Sequence, residues 1–448
     1  MKHCIYLIFF LLSVSCQRNT GTINLDQQIQ QLHNKGLFNG AIIVTDGGNT
    51  ILSKGFGYAN FEAQAPFNTH TSMDTGSITK TFTALAMMIL ADSKEIDLNT
   101  PVCSFIQEFP YGSVTIQHLL EQTSGIVSDD YVFERAQKGV TITNSVFLDF
   151  LVNDTPSLEF TPGSEYMYNG YNYRLLAILI ETISEGSYED FIRMNMAEPL
   201  DLENWFLRPA RSMDLPSNRA FGYSKTEDSL IAFGSEDFEG FYGDCNLFFS
   251  TEDLSKWSKS FFENFIYPVD KLNQALRKKS KLSEFNILHW YKLTDHEKYH
   301  FTGDWKGFYA MVHYDIDRNR SIVYLTNTNM PHWLRPALVR NINQFLDNGQ
   351  LPSWNYPESL ELTNKEIIGD YQLKKEQTIH IIENDSLLKI NTNNKTVRLF
   401  KLSSNIYYAP AIDLWVWFAR DDKKNLKIHC SSIYELTEGI KNSGHQGP

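Results

Sequence analysis

The sequence predicts an α+β fold: an antiparallel sheet flanked by helices, with a helical subdomain, followed by a small C-terminal antiparallel β-barrel domain. Three observations carry this. Strand patterns stand near both ends of residues 26–347, around a helical middle. A stretch with Gly349, Pro352, Ser353, Asn355 and Pro357 then interrupts the chain. Beyond it, short apolar runs separated by polar turns replace the helical periodicity.

Residues 26–35 read as a helix. Ala41, Ile42, Ile43 and Val44 form a buried strand, Asp46-Gly47-Gly48-Asn49 a turn, and residues 50–53 the return strand. From Ser77 to Leu200 the pattern is mostly helical. Ile116, Leu119 and Leu120 share one face, and Leu176, Leu179, Ile180 and Ile183 share another. Strands return at 309–314 and 321–325, with Arg318-Asn319 near the turn, and 333–346 reads as a closing helix. The two ends of this region are expected to complete one sheet. Residues 348–362 are a linker. In 363–440 strands are expected at 379–382, 387–390, 396–400, 406–408, 414–418 and 426–429, the pattern of a barrel or sandwich. The aromatic run Trp415-Val416-Trp417-Phe418 reads as the core of that small domain.

Composition sets outer limits. The chain has 448 residues, 42% hydrophobic and 21% charged, which is ordinary for globular domains. A net charge of −13 argues against a nucleic-acid partner, because phosphate binding needs a basic face. At the N-terminus, Lys2 and His3 precede an apolar stretch at 5–12 and the small residues Ser13, Val14 and Ser15 before Cys16. This reads as a signal peptide over 1–15. It resembles a bacterial lipoprotein signal, in which Cys16 is acylated and anchors the protein to a membrane of the cell envelope, with 16–25 as a tether. Cys103, Cys245 and Cys430 are far apart and odd in number, which suits buried small residues better than a disulfide framework. The twelve histidines form no His-Glu-x-x-His pattern, so no metal site is indicated.

The chemistry starts at Ser77. Thr75-Gly76-Ser77-Ile78-Thr79-Lys80 runs into a segment so apolar that its helix should be buried all round. A lysine at the head of such a helix is anomalous, since burying a charge costs several kcal/mol unless it is paired or neutralised. A spacing of three puts Ser77 and Lys80 on one helical face. Burial is expected to lower the Lys80 pKa from about 10.4, so that the amine accepts the serine proton. At the helix start, the Ser77 backbone N–H is available to a developing oxyanion.

Ordered motifs extend this reading. Phe38-Asn39-Gly40, Gly55-Phe56-Gly57-Tyr58-Ala59-Asn60, Gly76-Ser77-Ile78-Thr79-Lys80, Ile96-Asp97-Leu98-Asn99-Thr100-Pro101, His118-Leu119-Leu120-Glu121-Gln122-Thr123-Ser124-Gly125, Pro162-Gly163, Gly243-Asp244 and Ser250-Thr251-Glu252-Asp253-Leu254 follow one another. In this order they resemble the penicillin-binding-protein and class C β-lactamase superfamily of serine hydrolases, with its esterases and D-amino-acid peptidases, over about residues 35–345.

The resemblance implies a β-lactamase/transpeptidase-like fold and an acyl-enzyme mechanism on ester or amide bonds, without a metal or organic cofactor. It places the functional tyrosine at Tyr168, between Pro162-Gly163 and Tyr173-Arg174-Leu175-Leu176. A phenol near a cationic lysine can relay a proton to the leaving group. The family's asparagine position holds Gly170, which leaves the neighbouring Asn169 as the substrate-binding amide. The third family element falls on Thr302 and Gly303, where Gly303 lets substrate approach and the Asp304 N–H completes the oxyanion hole. Phe301 stands where a basic residue is usual, removing a cation for a substrate carboxylate. His300 faces the other way unless the strand is bulged. The implied substrates are short-chain esters, D-amino-acid peptides such as peptidoglycan fragments, and β-lactams. The departures at Gly170 and Phe301 leave a binding or sensor module as the alternative.

Overall fold

The computed structural model describes residues 24–441 apart from 129–130, 132–141, 209–215, 226–228, 234–239, 261–265, 278–281, 283–287, 289–290, 293–297, 351–359, 374–377, 385–386, 393–394, 404, 410–413 and 432–435. The expected signal peptide, Cys16 and most of the tether lie outside the described residues, as does most of the linker.

The chain opens with helix α1 (Leu25–Asn34), started by a capping box in which Asn24 Oδ1 accepts from the Gln27 N–H at 2.8 Å. Its buried Leu25, Ile29 and Leu32 form one stripe. Strands β1 (Gly40–Asp46) and β2 (Asn49–Phe56) make a hairpin whose turn, Gly47-Gly48, has both φ positive. A short strand β3 (Met73–Asp74) leads through a 3₁₀ turn (Gly76–Ile78) into α2 (Thr79–Ser93). α2 is buried on every side from Thr79 to Met87, as its apolar sequence requires. Helices α3 (Ile116–Leu120), α4 (Asn144–Asp154) and α5 (Gly170–Ser184) pack around it.

The chain ends of this domain do build one sheet. Strands β4 (Lys298–Trp305), β5 (Phe308–Asp315) and β6 (Arg320–Thr326) form a meander, and β6 pairs antiparallel with β1 from Gly40 opposite Thr326 to Thr45 opposite Ser321. β5 and β6 are buried throughout, because both faces are covered. Ala41, Phe301, Ala310, Val312 and Leu325 face the helices around α2. Ile42, Val44, Met311 and Tyr324 face α1 and the closing helix α6 (Leu334–Asn348).

A nine-stranded antiparallel sheet follows. It contains the expected strands and two more, Gly369–Leu373 and Leu436–Lys441, whose apolar alternation is thin. The strand expected over 396–400 divides at buried Leu399. Lys395–Arg398 pairs with Leu387–Thr392, and Phe400–Ser403 pairs with Ile406–Ala409. These two halves are the outer strands of the sheet and are joined through Leu399. Tyr371, Ile381, Ile390, Val416 and Phe418 fill the inside. Ile406, Tyr408 and Trp417 instead join the apolar cluster around α6, and the Trp417 ring lies 5.7 Å from that of Trp333.

Candidate active site

Ser77 is the only residue from 71 to 87 that is not buried. The turn that presents it is held by Asp74, whose Oδ1 accepts from the Gly76 N–H at 2.8 Å while Oδ2 takes Arg208 Nη2 at 3.0 Å. Thr75 donates its hydroxyl to the Leu247 carbonyl at 2.8 Å. Gly76 has φ +53, a conformation glycine adopts without strain.

Three expected residues meet at one point. Ser77 Oγ lies 2.8 Å from the Tyr168 hydroxyl, and Lys80 Nζ donates to Ser77 Oγ at 3.2 Å. Tyr168 arrives from the segment before α5 and is 46% exposed, so the nucleophile sits between a buried cation and solvent. Lys80 Nζ also donates to the Asp244 carbonyl at 2.9 Å and lies 5.0 Å from the centre of the Tyr168 ring.

The charge on Lys80 corrects an expectation. Burial does pull its pKa down, but the Tyr168 oxygen and the Asp244 carboxylate more than offset that pull, and the ammonium sits above the usual lysine range. The Tyr168 hydroxyl and the Lys80 amine are both within hydrogen-bond reach of Ser77 Oγ.

Strand β4 forms the other wall. Its turn, Lys306-Gly307, has φ values of +40 and +84, the two-residue type that closes on a hydrogen-bonded pair, here Trp305 and Phe308. Alternation along the ladder then makes Asp304–Tyr309 and Thr302–Met311 the non-bonded pairs. The N–H and C=O of Asp304 and Thr302 point off the open edge. That edge faces the nucleophile: a Cβ built on Gly303 would lie 1.8 Å from the Thr75 carbonyl oxygen and 3.0 Å from the Ser77 nitrogen. The backbone nitrogens of Ser77 and Asp304 thus converge on one cleft.

Other expectations resolve differently. Gly303 and Phe301 face the helices, while Thr302 and Asp304 turn their side chains to the α6 side. Thr302 therefore offers the cleft its backbone and not its hydroxyl. Pairing of β4 with β5 is continuous, with no bulge, so His300 stays on the far face and does not replace the cation missing at Phe301. Asn169 is 3% exposed; its Oδ1 caps α5 at the Tyr171 N–H, and its amide donates to the carbonyls of Ile126 (2.9 Å) and Val127 (2.8 Å). Those bonds use both amide hydrogens, so the residue expected to bind substrate holds the helix and a loop together.

Asp244 and Arg174 were not singled out by spacing. Arg174 grips the Asp244 carboxylate from inside α5, and Thr83 donates to the Gly243 carbonyl at 2.6 Å. The signal was present: Arg174, like Lys80, is a buried cation in a mostly apolar helix.

A half-buried serine before a buried lysine, a tyrosine at its hydroxyl and an open strand edge opposite define a β-lactamase/transpeptidase-type site. Residues 25–347 match the model of the Beta-lactamase family, and the chain belongs to that family, within a superfamily of serine hydrolases. Among its relatives, Penicillin-binding protein 4* of Bacillus subtilis (strain 168) is 25% identical over 427 residues, covering 88% of this chain and 93% of the relative. Protein flp of Staphylococcus aureus (strain N315) is 26% identical over 350 residues, covering 74% and 67%. The octameric penicillin-binding protein homologue from Pyrococcus abyssi superposes with a TM-score of 0.62 at 22% identity, covering 93% of this chain and 98% of that one. A D-stereospecific amidohydrolase from Streptomyces sp. gives 0.54 at 20%, covering 67% and 93%. At these identities the structural likeness speaks to the fold.

Proposed function

We propose that this protein is a serine hydrolase that cleaves ester or amide bonds through an acyl-enzyme. The observation that carries this reading is the contact of Ser77 Oγ with both Tyr168 (2.8 Å) and Lys80 (3.2 Å) at the mouth of a cleft. Ser77 Oγ attacks the substrate carbonyl, and Lys80, with Tyr168, takes its proton. The Ser77 and Asp304 N–H groups hold the oxyanion. Tyr168 then returns the proton to the leaving group, and water releases the acyl group from Ser77.

Charge narrows the substrate. Phe301 is buried in the core and presents no cation at that wall of the cleft. That disfavours a substrate carboxylate there, which favours neutral esters and amides over β-lactams. We place the protein at the bacterial cell envelope, lipid-anchored at Cys16, with peptidoglycan fragments or small envelope esters as substrates. Labelling by a radioactive fatty acid that is lost in Cys16→Ser tests the anchor.

The activity is tested with p-nitrophenyl acetate and a fluorophosphonate probe. Wild type is expected to turn over the ester and label; Ser77→Ala should do neither. If the two proteins are equally inert, the departures at Phe301 and Gly170 favour the second reading, a ligand-binding or sensor module on the same fold.

A further inference from the structure

The geometry points to Arg335 as a positioning residue for the oxyanion hole, acting through Asp304. This rests on the serine-hydrolase reading above and concerns how the Asp304 N–H is kept in place.

β4 needs an anchor where the chemistry occurs. Among the described residues, the short strand Tyr291–Lys292 pairs only with Tyr299 and His300. From Phe301 to Trp305 the ladder therefore holds β4 on the β5 side alone, and a two-residue turn follows. A strand end paired on one side can swing about its remaining hydrogen bonds. An oxyanion donor tolerates little of that, since its benefit depends on being aimed before the reaction begins.

Two contacts oppose the swing, one on each face. On the cleft face Gly303 is packed on the Thr75 and Ser77 backbone. On the opposite face the Asp304 carboxylate bonds Arg335 Nη1. Arg335 suits the task because it is itself held. It lies in the first turn of α6 and is 8% exposed, and its Nε donates to the Met330 carbonyl at 3.1 Å. Its guanidinium sits 4.0 Å from the ring centre of Tyr309, the cross-strand neighbour of Asp304, and its own carbonyl accepts from the Tyr324 hydroxyl at 3.0 Å. The Asp304 side chain thus ties the open edge of β4 to a rigid point on α6.

The test uses the full chain and p-nitrophenyl acetate. Asp304→Ala and Arg335→Gln should each lower kcat by about 10- to 100-fold, the cost of a small misplacement of a catalytic group, with KM changed less than about threefold. The double variant should be no slower than the slower single variant, because both remove one device. Arg335→Lys, which keeps the charge, should recover part of the rate. Wild-type kcat in Asp304→Ala, multiplied losses in the double variant, or an effect confined to KM would each overturn the inference. Should Arg335→Gln fail to fold, Asp304→Ala against Asp304→Glu decides it, since that side chain is partly exposed: a normal kcat in Asp304→Ala sinks the proposal. If wild type matches Ser77→Ala in having no turnover, the hydrolase reading falls and this inference with it. An active wild type with unaffected variants removes this inference alone.

Discussion

Arg174 and Asp244 form a two-point ion pair directly behind Lys80. Arg174 Nε donates to Asp244 Oδ1 at 3.1 Å and Nη2 to Oδ2 at 3.0 Å, with both side chains buried. The Asp244 main-chain carbonyl accepts from Lys80, so the pair fixes the peptide that orients the cation. Arg174→Met strands a buried carboxylate and should cost about 3–5 kcal/mol of stability, together with a large loss of ester turnover. The double variant Arg174→Met/Asp244→Asn carries no stranded charge and should regain most of the stability. Urea unfolding of the three proteins decides the point; equal destabilisation of single and double variants would count against it.

Tyr168 offers a cleaner separation of chemistry from folding. Its ring is partly in solvent, and only its hydroxyl meets Ser77. Tyr168→Phe should leave the melting temperature within a few degrees and reduce kcat by about 10²- to 10⁴-fold, the usual worth of a positioned proton carrier. Steady-state kinetics on p-nitrophenyl acetate read this directly. A variant that keeps more than a third of wild-type kcat would exclude Tyr168 as the proton carrier.

Much of this site could be read in advance, and the exceptions have a common cause. Ser77 and Lys80 announce themselves because a cation heads an apolar helix, and helical spacing alone brings them together. Tyr168 follows from ordered anchors. Arg335 is 31 residues from Asp304, Asp244 is 70 from Arg174, and Arg208 is 134 from Asp74; no periodicity joins such pairs. The Lys80 pKa direction is wrong when taken from burial alone for the same reason, because Asp244 and Tyr168 reach it only through the tertiary fold. Asn169 could not be told from a substrate-binding amide, since its role depends on the carbonyls of Ile126 and Val127. In the C-terminal sheet, alternation located strands but not the pivot at Leu399, where one apolar run changes partners.

Gly303 marks a backbone approach that admits no side chain. A Cβ there would sit 1.8 Å from the Thr75 carbonyl oxygen, which is backbone and has little freedom to retreat. Gly303→Ala should push β4 away from the Ser77 turn and widen the gap between the two oxyanion nitrogens. We expect at least about 100-fold loss of kcat, with far-ultraviolet circular dichroism unchanged. Activity near wild type would mean that β4 and the Ser77 turn separate easily and that their contact does not set the rate.

His300 and His313 face each other across β4 and β5 on the side away from Ser77. Burial holds His300 down to about 4 and His313 to about 3. His313 is lowered further by His300, Lys298 and Arg320, and raised by Asp315. Asn343 of α6 meets His313 Nε2 at 3.2 Å. Between these values and the ordinary histidine pKa of about 6.5, the unfolded chain binds more protons than the folded one, so stability rises with pH. Acidification from about pH 6.5 towards 4 should therefore remove stability by up to about 1.4 kcal/mol per pH unit for each histidine. His313→Gln cannot take up that proton, and its denaturation midpoint should fall less than that of wild type between pH 7 and pH 5. Parallel pH profiles for the two proteins would show that this pair does not govern acid stability, leaving the carboxylates as its source.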